Sequence, residues 1–514
     1  MQNNKSILNH ILPLTLLVIA LISIWGYTIG HGNSIQLMPY LQYEHDETLF
    51  AKDFFIQNAI QNLPNERSFF IGILQPFAAN PEWPVFILFV LTTYLLLYAL
   101  LQIANSFIMD YRLSYLVLCI LLFPLLYHTL GLNEIYFGEL NSNYVADAFS
   151  VWAIVFVLRK KIWLSYGMLI LATLMHPLAG FHTFLLITGA VVLLAIFTRN
   201  NKIIFSNYLW PVLTYCCTAG VYIVYLQIRL HDAEWDDASF FQAFFVFRNA
   251  HHYIPTAFST LDWKILTPLY LLPLFVFYKR NKLLFTITAL IIIGCVVYSF
   301  IVLNYHSPAV ATGQWFKTTI WLELFGVISI VLLLQMLLQI SNKTHFTTAG
   351  LIVFISGIAA WTFLKFPGIQ KIKTDITYEL PFYRKMTPEL DIAIKAGAVT
   401  DKNALFITPC GIDELKYYGK RSSVVDYKAL THSKSFIKEW TIRFNDVYQI
   451  NPLTSETISF AVLGEADGAY KTMQPEQVEM LKAKYGITHI IMFAEHKLPY
   501  QVIAQNNLYT VYAL

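Results

Sequence analysis

The chain has 514 residues, a net charge of +3, 56% hydrophobic residues and only 13% charged ones, against about 25% charged in soluble domains. With a mean hydropathy of +0.53, this excludes a soluble secreted product. There is no basic cluster of the kind that binds nucleic acid. The five cysteines form neither a disulfide framework nor a zinc pattern. Charge divides the chain into a charge-poor part, 1–364, and an ordinary soluble part, 365–514.

In chain order, Lys5 precedes ILPLTLLVIALISIWGYTIG. This run is too long for a signal-peptide core and is followed by no small-residue cleavage site, so it is predicted to be a retained first helix. Spanning helices need about 20 mostly apolar residues. Such runs fall at 11–30, 85–104, 113–132, 207–228, 283–303, 318–340 and 346–364. Shorter candidates are 143–158, with Asp147 near its start, and 265–278, with Pro268 and Pro273 inside. The uncharged stretch 162–198 would run about 55 Å as one helix. It is predicted to be two helices turning near MHPLAGFH, which brings the total to about eleven spans.

Lys and Arg in short connections mark the cytoplasmic side. They occur at Lys5, Arg112, Arg159 to Lys161, Arg199 and Lys202, Lys279 to Lys282, and Lys343. Two crossings separate each neighbouring pair. The expected topology has a cytoplasmic N-terminus in a bacterial-type inner membrane. Loops 31–84, 133–142, 229–264 and 304–317 are then extracytoplasmic, as is everything after Lys365. Chemistry on that face has no direct access to cytosolic ATP or nucleotide-sugars, but lipid-linked substrates reach it.

Within the first loop, ETLFAKDFFIQNAIQNL spaces Leu49, Phe50, Phe54, Ile56 and Ile60 as an amphipathic helix lying at the interface. FFQAFFVF is expected to lie among headgroups or re-enter the membrane. In the C-terminal part, NALFITP, SSVVDY, ITHIIMF and LYTVYAL read as strands. GIDELKYYG, KSFIKEWTIRFNDVYQI and QPEQVEMLKAKYG read as helices. Their alternation predicts a small extracytoplasmic α/β domain with a mixed or parallel sheet.

Several residues could carry chemistry. EHDETLFAKDFF gathers Glu44, Asp46, Glu47 and Asp53. Such carboxylates suit a general base or a divalent cation, or Asp46 simply caps a helix. Glu134, Glu139 and Asp147 follow in the second loop, with Asp147 at a membrane edge, where an ionisable residue points to function or to a plain interface position. His176 and His182 flank the predicted turn, and His31, His251, His252 and His306 are predicted on the same side. Together they suit metal or phosphate binding, without ligand spacing that is diagnostic. Lys317 in TGQWFKTT and Arg248 in FFVFRNAHH could pair with a lipid phosphate or snorkel to headgroups. Arg421, Asp426, Lys428, Trp440 and Arg443 form either a polar surface facing the membrane domain or internal ion pairs.

The layout resembles the GT-C superfamily of integral-membrane glycosyltransferases. The local likeness lies in HDETLF, where Asp46 and Glu47 precede Phe50 as in protein O-mannosyltransferase-like members. It resembles more closely bacterial GT-C-like membrane proteins with Gln-x-x-Pro (Gln36, Pro39), a mid-chain His-Pro (His176, Pro177), Arg-x-x-x-Val-x-x-Lys (Arg421, Val425, Lys428) and Trp-x-x-Arg (Trp440, Arg443). The resemblance implies transfer of a sugar from a polyprenyl-phosphate carrier to an extracytoplasmic acceptor. It implies Asp46 as base or metal holder, with Glu47, Asp53 and Asp147 assisting, and Lys317, Arg248 or a histidine (His176, His251 or His252) on the donor phosphate. A divalent cation is a candidate cofactor, and membrane lipids are partners. The WWDYG-type motif of oligosaccharyltransferases does not occur. The rival readings are a transporter or flippase for a lipid-linked or small substrate, and a non-catalytic assembly protein. The sequence leaves the sugar, acceptor, metal and oligomeric state open.

Overall fold

The computed structural model describes residues 8–30, 32–122, 128–199, 207–230, 235–340 and 378–514. The expected span 346–364, the domain boundary at 364/365, and Lys5, His31, Lys202 and Lys343 lie outside the described residues. The membrane part opens with α1 (Leu8–Trp25). The first loop follows, with α2 (Met38–His45), α3 (Phe54–Gln61) and α4 (Ser68–Leu74), and then α5 (Glu82–Ala104), α6 (Tyr111–Leu122), α7 (Ser142–Leu158), α8 (Ile162–Met175) and α9 (Pro177–Thr198). Next come α10 (Leu209–Tyr215), continued through a π turn into α11 (Val221–Leu230), then α12 (Asp237–Phe240), α13 (Ala250–Tyr253), α14 (Thr260–Arg280), α15 (Lys282–Tyr305), α16 (Pro308–Thr312) and α17 (Thr319–Ile340). Among the described residues six helical segments are long and apolar enough to cross a membrane. The shorter α1, α6, α7 and α8 pack with them. This is an integral-membrane architecture.

The stretch 162–198 breaks where the sequence implies. Proline disfavours helical backbone at the residue before it and suits the first helical position. His176 accordingly adopts extended backbone between α8 and α9. Gly180 makes the close approach there possible, since a Cβ at this position would sit 2.2 Å from the Thr173 nitrogen. The described connections at Arg159, at 109–112 and at Arg280 share one end of the bundle: Arg159 bonds Gln102, the Met109 N–H donates to Gln335 at 2.9 Å, and Arg280 reaches Met336.

The C-terminal domain holds a short hairpin of β1 (Glu379–Leu380) and β2 (Tyr383–Arg384), then α18 (Pro388–Val399), β3 (Leu405–Ile407), β4 (Ser422–Ser423), α19 (Lys434–Tyr448), α20 (Ala461–Tyr470), α21 (Pro475–Tyr485), β5 (His489–Phe493), β6 (Gln501–Gln505) and β7 (Tyr509–Ala513). The sheet order is β4-β3-β5-β7-β6. The β3 pairings with β4 and β5 are parallel, and β7 is antiparallel to both β5 and β6. This is the mixed α/β sheet expected, although SSVVDY pairs over two residues only.

The domain is clamped onto the opposite end of the bundle. Lys416 Nζ, 1% exposed, lies 2.6 Å from Asp53 Oδ2 and 2.6 Å from Asp426 Oδ2. Asp53 also caps α3 through the Ile56 N–H and accepts from the Ser423 N–H at 3.1 Å. Burial pushes the ammonium toward neutrality, but Asp426 and Asp53 hold its pKa above the ordinary lysine value. Around this ion triad, the Glu379 carboxylate accepts from the Ile29 N–H at 2.6 Å. Tyr417 packs on Gly30, whose φ of +84° and missing Cβ leave room for the ring. Arg248 Nε donates to the Tyr427 carbonyl at 2.6 Å, with its guanidinium 3.9 Å from the Tyr427 ring.

Two expectations are corrected here. The segment around Phe54 does not lie on lipid: Phe54 stacks on Phe436 of the C-terminal domain at 4.4 Å, under Arg443. FFQAFFVF is likewise covered by protein, with Phe247 against Trp440 and Phe444. An apolar face must be covered, and lipid or a folded domain covers it equally well.

Removing the cation from the triad strands two buried carboxylates. Lys416→Met is therefore expected to lower stability by ~3–5 kcal/mol. Lys402→Met, which opens the surface contact to Asp46, is expected to leave unfolding unchanged. Thermal unfolding of the detergent-solubilised protein measures both, and matching transitions for Lys416→Met and wild type would show that the triad does not carry the interface.

Candidate functional site at the clamped end of the bundle

The acidic motif does not come together as one site. Asp46 ends α2 at the surface, where Lys402 and Thr48 bind its carboxylate and hold its pKa down at about 2. Glu47 is exposed. Asp53 is enclosed in the ion triad, where its oxygens serve Lys416, Ile56 and Ser423. Arg248, read from sequence as a phosphate ligand, is instead spent on Tyr427 and Asn249. Arg421 turns inward to the carbonyls of Gly419 and Gly397, and the Trp440 indole donates to the Asp426 carbonyl at 2.8 Å. Those two belong to the domain's own framework.

Other predicted residues do converge. Lys317 lies on a 3-10 turn, Trp315–Thr318, that begins after Gln314 in left-handed backbone and leads into α17. Its Nζ stands 3.5 Å from His176 Nε2. His176 caps α9, its Nδ1 accepting from the Ala179 N–H at 3.3 Å. With Nδ1 accepting, the ring proton resides on Nε2. Two donors, Nε2–H and the ammonium, therefore face each other, an arrangement that an oxyanion placed between them would satisfy. Asp147, buried on α7, accepts from Asn143 at 2.8 Å and interacts electrostatically with Lys317. His182, six residues past His176 on α9, bonds the Gly313 carbonyl at 2.7 Å and steadies the turn that carries Lys317.

Sequence reading missed three members of this surrounding. Glu66, in the first loop, lies 3.3 Å from Arg67 and 3.7 Å from His432, and its field reaches His176. Burial pushes the Glu66 carboxyl upward, yet Arg67 and His432 hold it below the usual carboxylate range. Arg67 is itself fastened to Gln36 and the Leu430 carbonyl. The one available signal was the adjacent charged pair Glu66–Arg67 in the first loop. A cavity of about 20 Å³, the size of one water, lies beside Glu66 and is bordered by Leu226 of α11 and by Thr431. Among the described residues, no group of three or more His, Cys, Asp or Glu side chains is arranged to hold a metal ion.

His251 and His252 lie where loop and domain meet. His251 Nδ1 contacts the Ser459 hydroxyl at 2.9 Å, and His252 Nδ1 contacts the Gly131 carbonyl at 2.7 Å. Burial, with His252 and Arg248 nearby, pushes His251 down to about 2. Burial chiefly, against the Gly131 carbonyl, brings His252 to about 4.

Residues 389–447 match a family described as a domain of unknown function (DUF6798). No curated protein matches the chain. Among solved structures, the chain is similar to ArnT from Cupriavidus metallidurans bound to undecaprenyl phosphate. The TM-score is 0.49 and the identity 11%, over 98% of each chain.

Because His251 and His252 are held neutral in the folded state, the unfolded chain binds more protons once the pH falls below the ordinary histidine value of about 6.5. Their contribution to stability is full above that value and is lost as the pH falls from it toward 4. Wild type is expected to lose thermal stability over this window, and His251→Gln to lose less. Equal pH slopes for the two proteins in unfolding scans would contradict this assignment.

Proposed function

We propose that the protein is a glycosyltransferase that takes a sugar from a polyprenyl-phosphate carrier and passes it to an extracytoplasmic acceptor. The observation that carries this reading is the pair of donors, Lys317 Nζ and His176 Nε2, 3.5 Å apart at the clamped end of the spans. Beside them stand the carboxylates of Asp147 and Glu66. The positive-inside pattern supports placing this end on the outer face of an inner membrane. A donor there has to be lipid-borne, because cytosolic nucleotide-sugars lie on the other side.

In this reading the acceptor hydroxyl attacks the anomeric carbon as the bond to the carrier phosphate breaks. Negative charge grows on the departing phosphate oxygen, where Lys317 and His176 offset it. The hydroxyl proton passes to the Asp147 carboxylate. The base is thus Asp147, which interacts with Lys317, rather than Asp46, which is bound to Lys402. Asp46 and Glu47 keep a place at the surface of the first loop, and Arg248 and Asp53 act by holding the C-terminal domain in position.

Native mass spectrometry of the detergent-purified protein tests the reading. Wild type is expected to retain polyprenyl phosphate, and Lys317→Met to lose it. Asp147→Asn is expected to keep the lipid and to cut transfer by about 10²–10⁴-fold, and Glu66→Gln to keep the lipid. Asp46→Asn should leave both lipid retention and transfer intact. A wild type that binds no polyprenyl phosphate, or a Lys317→Met protein that binds it unchanged, would sink the proposal.

A further inference from the structure

The C-terminal domain has a concave site of its own, separate from the Lys317 pair. A cleft of about 590 Å³ is lined by Lys385, Thr387, Glu389, Gly411, Glu414, Asp467 and Tyr509, with Met386, Pro388, Pro409 and Ile412 as its apolar surfaces. Its size falls within the range of small-molecule sites, roughly 300–1,000 Å³. Its position follows from the topology. Pro409 and Gly411 come just after β3, and Tyr509 pairs with Phe493 at the end of β5. The cleft therefore lies outside the carboxyl ends of two neighbouring parallel strands. The chain leaves β3 for β4 on one side and leaves β5 for β6, at the opposite edge of the sheet, on the other. Open α/β sheets bind their ligands at such a reversal point.

The lining decides the class of ligand. The usual guest at this place is a phosphate on backbone N–H groups. Here the Cys410 N–H already donates to Asp467 Oδ1 at 2.8 Å, so a carboxylate of the chain itself fills that role. Glu389, whose Oε1 accepts from the Tyr509 hydroxyl at 2.9 Å, and Glu414 add two more carboxylates against the one lysine. An anion is repelled. A carboxylate offers about four acceptor sites, so these three favour a ligand rich in donors, and the prolines, Ile412 and Met386 offer surface to C–H groups. We propose that the cleft between β3, β5 and the start of α18 binds an uncharged, hydroxyl-rich glycan. The site is independent of the transfer chemistry assigned to Lys317 and His176.

Such a glycan comes either free or as the headgroup of a lipid. The cleft edge runs through Met386, 58% exposed, to Phe382, 67% exposed, which contacts Trp83 at the start of α5. Both sources can therefore reach it. The full-length protein in detergent is to be probed on an array of defined mono- to tetrasaccharides. The glycan that binds is then to be offered on a lipid in phosphatidylethanolamine–phosphatidylglycerol vesicles. Wild type is expected to retain at least one uncharged glycan. The Glu389→Gln and Glu414→Gln double variant, with unchanged thermal unfolding, is expected to bind it about tenfold more weakly, the loss of roughly one charge-assisted hydrogen bond. Tighter binding to the vesicle form assigns a lipid headgroup, and equal binding assigns a free glycan. No glycan retained, retention of amine controls alone, or retention untouched by the double variant overturns the proposal. If the double variant unfolds, Tyr509→Phe, which removes a hydroxyl only, is read the same way.

Discussion

Lys416 is the hinge of this architecture. One buried ammonium is shared by Asp53 of the first loop and Asp426 of the C-terminal domain. Neither carboxylate could be buried there alone, because desolvating an unpaired charge costs several kcal/mol. The triad therefore forms only when loop and domain are docked. Docking in turn covers α3 with Phe436 and FFQAFFVF with Trp440 and Phe444. The same contact sets Arg248 on Tyr427 and Gln36 and Arg67 beneath the domain. Apolar burial supplies most of the driving force, and the ions and hydrogen bonds select the register.

The candidate site is a consequence of that clamp. Lys317 arrives on a turn between α16 and α17, His176 on the break between α8 and α9, and Asp147 on α7. Glu66 and His432 come from the two halves of the clamp. Each side chain is held by a local device: the proline after His176, the left-handed Gln314 before Lys317, and the Asn143 amide on Asp147. The site is built on helix ends, which are stiffer supports than free loops.

Much of this was legible in the chain. Span positions follow from apolar length alone, and the break at His176 follows from a proline inside a run too long to cross once. The C-terminal strands ITHIIMF and LYTVYAL and the helix ended by Gly486 matched their periodicity. The edge strand β6 and α20 were not foreseen, since QVIAQ and AVLGEADGAY carry weak patterns. Of the predicted site residues, Lys317, His176 and Asp147 come together. Asp46, Glu47 and Asp53 are dispersed by a turn before α3, because Asp53 rather than Asp46 caps that helix.

The opening feature of the sequence, a charge-poor chain with evenly spaced basic connections, determined by itself that helices cross a membrane and that their other ends gather the loops. Apolar length and sparse charge are one-dimensional quantities, so the chain states them directly. Only the tertiary structure decided which charged groups are spent on holding the C-terminal domain to the bundle and which face one another near the helix ends. Asp53 and Lys317 look alike in sequence as charges beside aromatic residues. One is neutralised by a lysine 363 positions away and the other faces a second donor. That difference lies in long-range partners, which local pattern does not encode.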